Sequence, residues 1–305
     1  MTQILGQPCE FQALNASRWT VNHNGTHGAL EQQLYVGSAA TLDGAGHLVL
    51  TTARADPAAR PTGPDGKSLY NFTSGWVETQ GKLETAFGRW EIRARLPDPS
   101  ARGIWPAHWL MPRFQRGSAT AWNCWPVGGE IDIMEATGGV YNNTVLGTYH
   151  WGANCSGPPP PPPTPPVDPS SCTCGCGCDL HRLSNMNGKF ECTHPEGDPW
   201  HCDKAHDFSK GFHVFAVEWE PTAIRWYVDA ALYWTRTLGV DNVSFIPSQP
   251  LYIILNTAIQ PAIWNKGAGE EGSYPVEHTV DYVRVWERPK GVRGPSPRSD
   301  DGGHQ

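Results

Sequence analysis

Three carboxylates lie within six consecutive residues of this 305-residue chain: Glu130, Asp132 and Glu135. In an extended strand successive side chains alternate between the two faces, so Glu130 and Asp132 share one face while Ile131 and Ile133 occupy the other. The two isoleucines indicate that their face packs into a core. The sequence therefore predicts a strand that presents at least two acids on its accessible face.

Glu135 does not fit strict alternation, which would turn it into the core and bring Met134 to the face of the acids. A β-bulge at the Ile133-Met134 step removes this conflict, because two residues of a bulged strand oppose one residue of its neighbour. Glu135 then lies beside Asp132. A solvated sheet face is the alternative explanation for Glu130 and Asp132, but it does not explain a third acid at an offset that requires a bulge.

The spacing of the acids also predicts a chemistry. With one position absorbed by the bulge, Glu130 and Glu135 are about four strand steps apart, roughly 13 Å between Cα atoms. Side chains that lean toward each other reach the ~5–5.5 Å carboxyl separation of a retaining glycosidase, whereas inverting enzymes need a wider gap. One acid would attack the anomeric carbon, and the other would protonate the leaving oxygen and then activate water. Asp132 between them would help to keep one acid protonated and the other ionised.

The segments around the acids predict an all-β chain. Residues 88–97 alternate apolar and charged side chains with a period of two, which is typical of a strand with one buried face. Near-continuous apolar runs at 212–221 and 251–258 indicate central strands that are buried on both faces. Further strands are predicted at residues 14–21, 31–36, 47–53 and 69–79.

Composition argues against several classes of function. No stretch approaches the ~18 apolar residues that span a membrane, so we expect no membrane partner. The net charge of −7 argues against nucleic acid, which calls for clustered basic residues. Fourteen tryptophans exceed what one core readily uses, and stacking of aromatic faces on sugar rings would account for the surplus. We therefore expect a polysaccharide as the partner and a monomer in solution.

Six Asn-x-Ser/Thr sequons predict a secreted glycoprotein. Their first residues are Asn15, Asn24, Asn71, Asn142, Asn154 and Asn242. The first residues of the chain lack the basic start and apolar run of a signal peptide, so we expect a form from which the signal was removed. A cytosolic protein with chance sequons is the alternative.

Residues 152–210 are predicted to form an insert rich in proline and cysteine. Residues 158–166 are almost all proline and predict a stiff polyproline spacer. Disulfides are favoured over zinc for the cysteines that follow, because zinc sites generally use pairs spaced by two to four residues. These cysteines are Cys172, Cys174, Cys176, Cys178, Cys192 and Cys202. Zinc remains the alternative.

The segment from Glu130 to Glu135 resembles the active-site signature of glycoside hydrolase family 16. The extra Met134 is typical of the bulged branch, to which the laminarinase-type endo-β-1,3-glucanases belong. The resemblance covers roughly residues 10–151 and 211–287. It implies a jelly-roll β-sandwich with a concave substrate cleft, and a retaining endo-glycosidase that hydrolyses β-1,3-glucan without an organic cofactor. It also implies that Glu130 is the nucleophile, Asp132 the assisting acid and Glu135 the general acid/base.

The resemblance names further site residues. Trp105 and Trp109 are four residues apart and face the same way on a strand, as a stacking platform beside the acids requires; core packing is the alternative. His150 is a candidate partner in the proton network. Trp76 stands where laminarinases often carry a sugar-binding arginine. The candidate substrate-binding residues are therefore Trp105, Trp109, Trp125, His150, Asn256 and Trp76.

Glu10 and Asp281 match positions that help to bind a structural calcium in many relatives. We therefore expect a possible structural calcium at these two carboxylates, and no other cofactor. In this interpretation residues 1–288 form one catalytic domain that includes the insert, and residues 289–305 form a disordered tail.

Three alternatives to a β-1,3-glucanase stay open. The first is an enzyme of the same family that acts on mixed-linkage glucan or a marine galactan, or that transfers to a sugar acceptor. The second is a non-catalytic β-glucan-binding recognition protein, although such a protein has no need of both Glu130 and Glu135. The third is a metal-binding protein defined by the Cys/His insert.

Overall fold

The computed structural model describes most of the chain outside the insert. The described residues are 1–5, 13–27, 31–113, 125–126, 128–136, 144–151, 187–191 as backbone, 208–240, 243, 245–260 and 273–287. Glu10, the cysteines of the insert and the predicted tail at 289–305 lie outside the described residues.

Strands dominate the described part of the chain, which has one short 3₁₀ turn at Gly37–Ala39. No helix in the described residues combines the length and the apolar character that crossing a bilayer requires. The strands are β1 (Thr2–Leu5), β2 (Thr20–Val21), β3 (Gln33–Tyr35), β4 (Ala40–Leu42), β5 (Leu48–Arg54), β6 (Phe72–Ser74), β7 (Trp76–Glu78), β8 (Gly88–Arg95), β9 (Ile104–Pro112), β10 (Glu130–Glu135), β11 (Thr144–His150), β12 (Asn187–Glu191), β13 (His213–Glu220), β14 (Ala223–Val228), β15 (Ala231–Thr237), β16 (Leu251–Ile259) and β17 (Val276–Glu287).

The described strands form two sheets. A ten-stranded sheet has the order β15-β14-β13-β8-β17-β5-β6-β3, with β1 paired to β17 and β4 paired to β5. A seven-stranded sheet has the order β12-β11-β10-β9-β16-β7-β2. Apart from the parallel pair of β3 and β6, the strand pairs within the described residues are antiparallel. The predicted all-β jelly-roll sandwich is confirmed.

The core lies between the two sheets. On β8, Trp90 and Ile92 are fully buried, whereas Arg89 and Glu91 lie on the opposite face, as the alternation predicted. Ile253 of β16 belongs to the same buried cluster although it comes from the seven-stranded sheet. Each such side chain contributes roughly 1.5–3 kcal/mol of hydrophobic stabilisation.

The strand predicted over residues 69–79 is two strands in different sheets. β6 belongs to the ten-stranded sheet and β7 to the seven-stranded sheet, and Gly75 lies between them. A Cβ at Gly75 would lie 2.6 Å from the main-chain oxygen of Ala39, so the chain can change sheets here only with glycine.

The strand predicted over residues 14–21 is also shorter than expected. Only Thr20–Val21 pairs as a strand. The Asn15 side chain accepts a hydrogen bond from the Ser17 amide, and the Asn15 carbonyl accepts one from the amide of Trp19. This local turn competes with extended structure and ends the strand early.

The predicted insert contributes a strand that the sequence did not indicate. β12 pairs with β11 along its whole length, from Thr144 opposite Glu191 to Thr148 opposite Asn187. An edge strand gains main-chain hydrogen bonds from its neighbour without needing an apolar face of its own, so a polar segment can extend the sheet.

Candidate active site

The predicted bulge is present on β10. On the side of β9, Asp132 is opposite Trp109 and Met134 is opposite His108, so Ile133 is the extra residue. The pairing with β11 shifts over the same interval. The prediction of a bulge at the Ile133-Met134 step is confirmed.

The bulge separates acids from apolar side chains. Glu130, Asp132 and Glu135 line one pocket of the seven-stranded sheet. The three apolar residues of the strand are buried in the core, and these are Ile131, Ile133 and Met134. The register shift therefore places all three carboxylates on one wall.

The opposite sheet supports the bulge through an indole. Trp226 of β14 is fully buried, and its Nε1 donates a hydrogen bond to the main-chain oxygen of Asp132 at 2.8 Å. A Cβ at Gly147 would lie 2.4 Å from Cδ1 of Trp226, so β11 must carry glycine for the indole to reach the bulge. Sequence reasoning missed both residues. A glycine inside a strand pattern was the available signal, because it marks a close approach of another group.

A buried histidine pair lies on the other side of the bulge. His108, which faces Met134 in the strand register, places its Nε2 2.9 Å from Nε2 of His278 on β17. Burial lowers the pKa of His278 to about 4, and burial together with His278 lowers the pKa of His108 well below its ordinary value. Both rings are therefore neutral at neutral pH, and one donates to the other across the sandwich.

Glu130 is held by an indole and lies near an imidazole. Its Oε2 accepts a hydrogen bond from Nε1 of Trp125 at 2.6 Å, and its Oε1 lies 3.9 Å from Nε2 of His150. Burial first, and the charge of Asp132 second, raise the pKa of Glu130 to about 8. The contacts with His150 and Trp125 act in the opposite direction, because they favour the ionised carboxylate.

Asp132 is the most enclosed of the three acids, with only 3% of its surface exposed. Its Oδ2 lies 3.3 Å from Nε2 of His150. Burial first and the charge of Glu135 second raise the pKa of Asp132 well above its ordinary value. Asp132 therefore holds a proton at a pH where an ordinary aspartate is ionised. The described residues include one group of three side chains whose ligand atoms all lie within 4.8 Å of one another, close enough to hold a metal ion. These are Glu130, Asp132 and His150.

Glu135 is held by two donors on different strands. Its Oε1 accepts a hydrogen bond from Nε1 of Trp105 at 3.0 Å, and its Oε2 accepts one from Oγ1 of Thr148 at 2.9 Å. Trp105 lies on β9 and Thr148 on β11, so the two neighbouring strands fix the carboxylate from both sides. The side chain is only partly buried, so it can exchange protons with a bound molecule or with solvent.

The remaining pocket wall comes from β9, β16 and the segment before β3. Trp105 and Trp109 both line the pocket, but Trp109 is only 5% exposed and packs in a buried cluster with Trp76, so core packing, the alternative, describes most of its ring. Its Nε1 donates to Oδ1 of Asn256 at 2.8 Å. His27 and Glu31 also line the pocket. Sequence reasoning missed both as site residues: Glu31 was predicted only as the start of a strand over residues 31–36, and His27 belongs to no periodic pattern.

The chain is similar to known proteins over most of its length. The family model of glycosyl hydrolases family 16 matches residues 187–284. A β-glucanase of Rhodothermus marinus is 31% identical to the chain over 273 residues, which cover 86% of the chain and 77% of that protein. The chain belongs to glycosyl hydrolases family 16. The family expected from the signature on β10 is thus confirmed.

Other relatives support the laminarinase-like branch of family 16. Glucan endo-1,3-beta-glucosidase A1 of Niallia circulans is 27% identical over 229 residues, and the match covers 73% of the chain and 27% of that longer protein. The laminarinase catalytic domain of Thermotoga maritima has a TM-score of 0.68 and 26% identity, and the alignment covers 95% of the chain and 100% of the domain. The family 16 match starts at β12, which lies within residues 152–210, the segment that the resemblance seen in the sequence does not cover.

Trp76 does not line the pocket of this family 16 protein. It is 4% exposed, and its Nε1 donates to Oε2 of Glu78 at 2.9 Å. Its ring meets Trp109 edge-on at 5.7 Å, and the ring of His27 lies 5.7 Å away. The structure therefore places Trp76 behind the residues that line the pocket, where it supports Trp109.

The surroundings of Asp281 do not fit the calcium site predicted at Glu10 and Asp281. Oδ2 of Asp281 accepts a hydrogen bond from Nη1 of Arg93, and Oδ1 lies 3.9 Å from Nε2 of His47. Calcium takes oxygen ligands, whereas the two groups next to this carboxylate are an arginine and a histidine. Glu10 lies outside the described residues. The register of β17 on β8, which places Arg93 opposite Tyr282, explains the arginine.

Proposed function

We propose that the protein is a retaining endo-glycosidase that hydrolyses laminarin-type β-1,3-glucan. The observation that carries this proposal is the bulged β10, which presents Glu130 and Glu135 on one pocket with Asp132 between them. The family 16 relatives, which include a glucan endo-1,3-beta-glucosidase and a laminarinase, support β-1,3-glucan as the substrate. The contacts of the three acids support a mechanism in two steps.

Glu130 acts as the nucleophile in the first step. Glu130 attacks in its ionised form, in which Asp132 holds the proton of the pair and the negative charge lies on Glu130. Because the pKa of Glu130 is about 8, the share of this form grows as pH rises toward that value. The Trp125 indole and His150 stabilise that charge. Glu130 attacks the anomeric carbon while Glu135 gives its proton to the glycosidic oxygen, which leaves with the bonding electron pair.

In the second step Glu135 acts as a base. It takes a proton from water, and the water oxygen attacks the anomeric carbon of the glycosyl-enzyme. The bond to Glu130 breaks and its electron pair returns to the carboxylate. Because Trp105 and Thr148 donate to Glu135 from opposite sides, the same group is correctly placed for both proton transfers.

The charge of the pocket favours a neutral polysaccharide. Four carboxylates line the pocket, which are Glu31, Glu130, Asp132 and Glu135, and the described lining includes no lysine or arginine. Sulfated or uronic-acid polymers would be repelled by this wall. An uncharged β-glucan meets no such penalty.

We also propose that the protein is a secreted glycoprotein that acts as a monomer. The three sequon asparagines within the described residues are all exposed, which supports their use as acceptors; these are Asn15, Asn24 and Asn71. Mass spectrometry of the protein made in a eukaryotic secretion host would test the glycans, and light scattering would test the oligomeric state.

Release of reducing ends from laminarin by the wild type and Glu130→Gln tests the enzymatic proposal. We expect activity in the wild type and a loss of at least about 10⁴-fold in the variant, because the nucleophile is removed. Proton NMR of the first product should show the β-anomer. Mixed-linkage glucan and agarose, run in parallel, test the other substrates. A wild type that binds laminarin but releases nothing from any polymer would instead be a recognition protein.

A further inference from the structure

A chain of hydrogen bonds runs through the pocket wall on the side of β9 and β16. Nε1 of Trp109 donates to Oδ1 of Asn256 at 2.8 Å, and Nδ2 of Asn256 donates to the hydroxyl oxygen of Tyr35 at 2.9 Å. The Tyr35 hydroxyl donates to Oε2 of Glu31 at 3.4 Å. Burial raises the pKa of Tyr35 well above its ordinary value, so the hydroxyl keeps its proton.

His27 closes this chain into a ring of contacts. Nδ1 of His27 lies 3.1 Å from Oε1 of Glu31, and the imidazole meets the indole of Trp109 edge-on at 5.3 Å. The Glu31 side chain is 9% exposed, whereas that of His27 is 31% exposed. His27 is therefore the side chain of this ring of contacts that a bound molecule can reach.

The partner of Nδ1 determines the chemistry of the other nitrogen. A nearly buried carboxylate such as Glu31 needs hydrogen-bond donors, so Nδ1 of His27 carries a proton and donates it to Oε1. With Nδ1 directed at Glu31, Nε2 is the ring nitrogen on the side of the imidazole away from this carboxylate. A sugar hydroxyl, which can both donate and accept a hydrogen bond, suits this nitrogen.

We propose that His27 binds a hydroxyl group of the sugar in the pocket through Nε2, and that Glu31 is a positioning residue that fixes the orientation and tautomer of His27. This inference rests on the proposed function, and it adds a residue that discriminates between neutral sugars by the position of a hydroxyl. A sugar that lacks this hydroxyl would lose the hydrogen bond to Nε2, and it would bind more weakly for that reason.

The contact is tested by combining a His27 variant with modified substrates. His27→Phe keeps an aromatic ring against Trp109 and removes both nitrogens. We expect kcat/KM on laminarioligosaccharides to fall on the order of 10-fold, which corresponds to one hydrogen bond. Monodeoxy laminarioligosaccharides should include one compound that costs the wild type a similar factor but costs His27→Phe nothing further.

Two further variants separate positioning from packing. Glu31→Ala should lose the same discrimination against that deoxy compound, whereas Glu31→Gln, which keeps an acceptor for Nδ1, should restore most of it. His47→Phe is the matched control, because His47 also pairs with an acid four residues away, Asp43, but lies outside the pocket. We expect no change in that variant. Unfolding midpoints of His27→Phe, Glu31→Gln and His47→Phe should match the wild type within a few degrees. Glu31→Ala also removes the acceptor of the buried Gln33 and Tyr35 side chains, so its midpoint should fall.

The outcomes distinguish this inference from the proposed function. Wild-type hydrolysis with an unchanged kcat/KM in His27→Phe would overturn the role of His27 and leave the hydrolase intact. Equal sensitivity of the wild type and His27→Phe to every deoxy compound would do the same. Calorimetric titration of laminarihexaose into Glu130→Gln and Glu130→Gln/His27→Phe reads the contact without catalysis. If the wild type neither binds nor cleaves any glucan, both proposals fail.

Discussion

The carboxylates on the two sheets of this protein have different partners. On the ten-stranded sheet several partly exposed acids lie beside a guanidinium: Glu91 is 2.9 Å from Arg89, and Glu220 is 2.8 Å from Arg225. Such pairs contribute little to stability, with a typical value of ~0–1 kcal/mol.

On β10 of the seven-stranded sheet the acids have no such partner. Among the described residues no lysine or arginine forms an ion pair with Glu130, Asp132 or Glu135, and their neighbours are indoles, a hydroxyl and His150. Burial without a permanent cation raises the pKa of Glu130 and Asp132. A carboxyl group with a raised pKa can hold a proton near neutral pH and transfer it, so the raised pKa values of Glu130 and Asp132 mark β10 as the reactive strand.

The largest expected difference between the sheets is in catalysis. Glu135→Gln should lower kcat on laminarin by about 10²–10⁴-fold, because it removes the general acid and base. Added azide should restore turnover of an activated aryl glycoside and yield the β-glycosyl azide, because azide needs no base to attack. Rescue that yields the α-azide would mean that azide displaces the leaving group directly, which would contradict the assignment of Glu135 as the acid/base, and so would the absence of rescue.

A smaller loss is expected when the support of the bulge is removed. Trp226→Phe deletes the indole donor to the Asp132 carbonyl, and the loss of this buried hydrogen bond costs about 0.5–1.5 kcal/mol of unfolding free energy. We expect kcat to fall on the order of 10-fold with little change in KM, because the acids shift while the sugar platform stays. Urea unfolding and steady-state kinetics measure the two effects. Trp234→Phe, which keeps the ring that packs on Trp226 at 4.3 Å, is the control.

The acids of β10 should also make stability depend on pH. Between the ordinary glutamate pKa and about 8, folded Glu130 keeps a proton that the unfolded chain has lost. The unfolding free energy therefore falls as pH rises through this window. Glu130→Gln should be more stable than the wild type at pH above about 8, by a few kcal/mol, since each pKa unit corresponds to about 1.4 kcal/mol. Urea titrations at several pH values check this, and equal slopes in both proteins would contradict it.

The smallest effect is expected on the ten-stranded sheet. Glu91→Gln removes one arginine-paired carboxylate, and we expect less than about 1 kcal/mol of change in unfolding free energy. Activity on laminarin should stay within about 2-fold of the wild type, and the pH dependence of stability should be unchanged. A large loss of activity in this variant would show that the two groups of acids are not independent.

Much of the fold and the central site could be predicted from local sequence. The alternation on β8 and the three acids of β10 are patterns within eight residues or fewer, and a strand periodicity of two determines which face each side chain occupies. The bulge was predictable for the same reason, since Glu135 is out of phase with Asp132. Trp105 and Trp109 could be assigned to the pocket because they share a strand face.

What the local pattern could not show is contact between distant segments. The sequence does not indicate that Trp226 reaches Asp132, that His278 meets His108, or that His27 lies over Trp109, because these pairs are 82 to 170 residues apart. The sequence likewise does not indicate the change of sheet at Gly75 or the added strand β12. The sequence by itself determined which residues could do chemistry and on which face of the strand they lie. Only the tertiary structure decided their partners, since packing two sheets brings together side chains that no local periodicity relates.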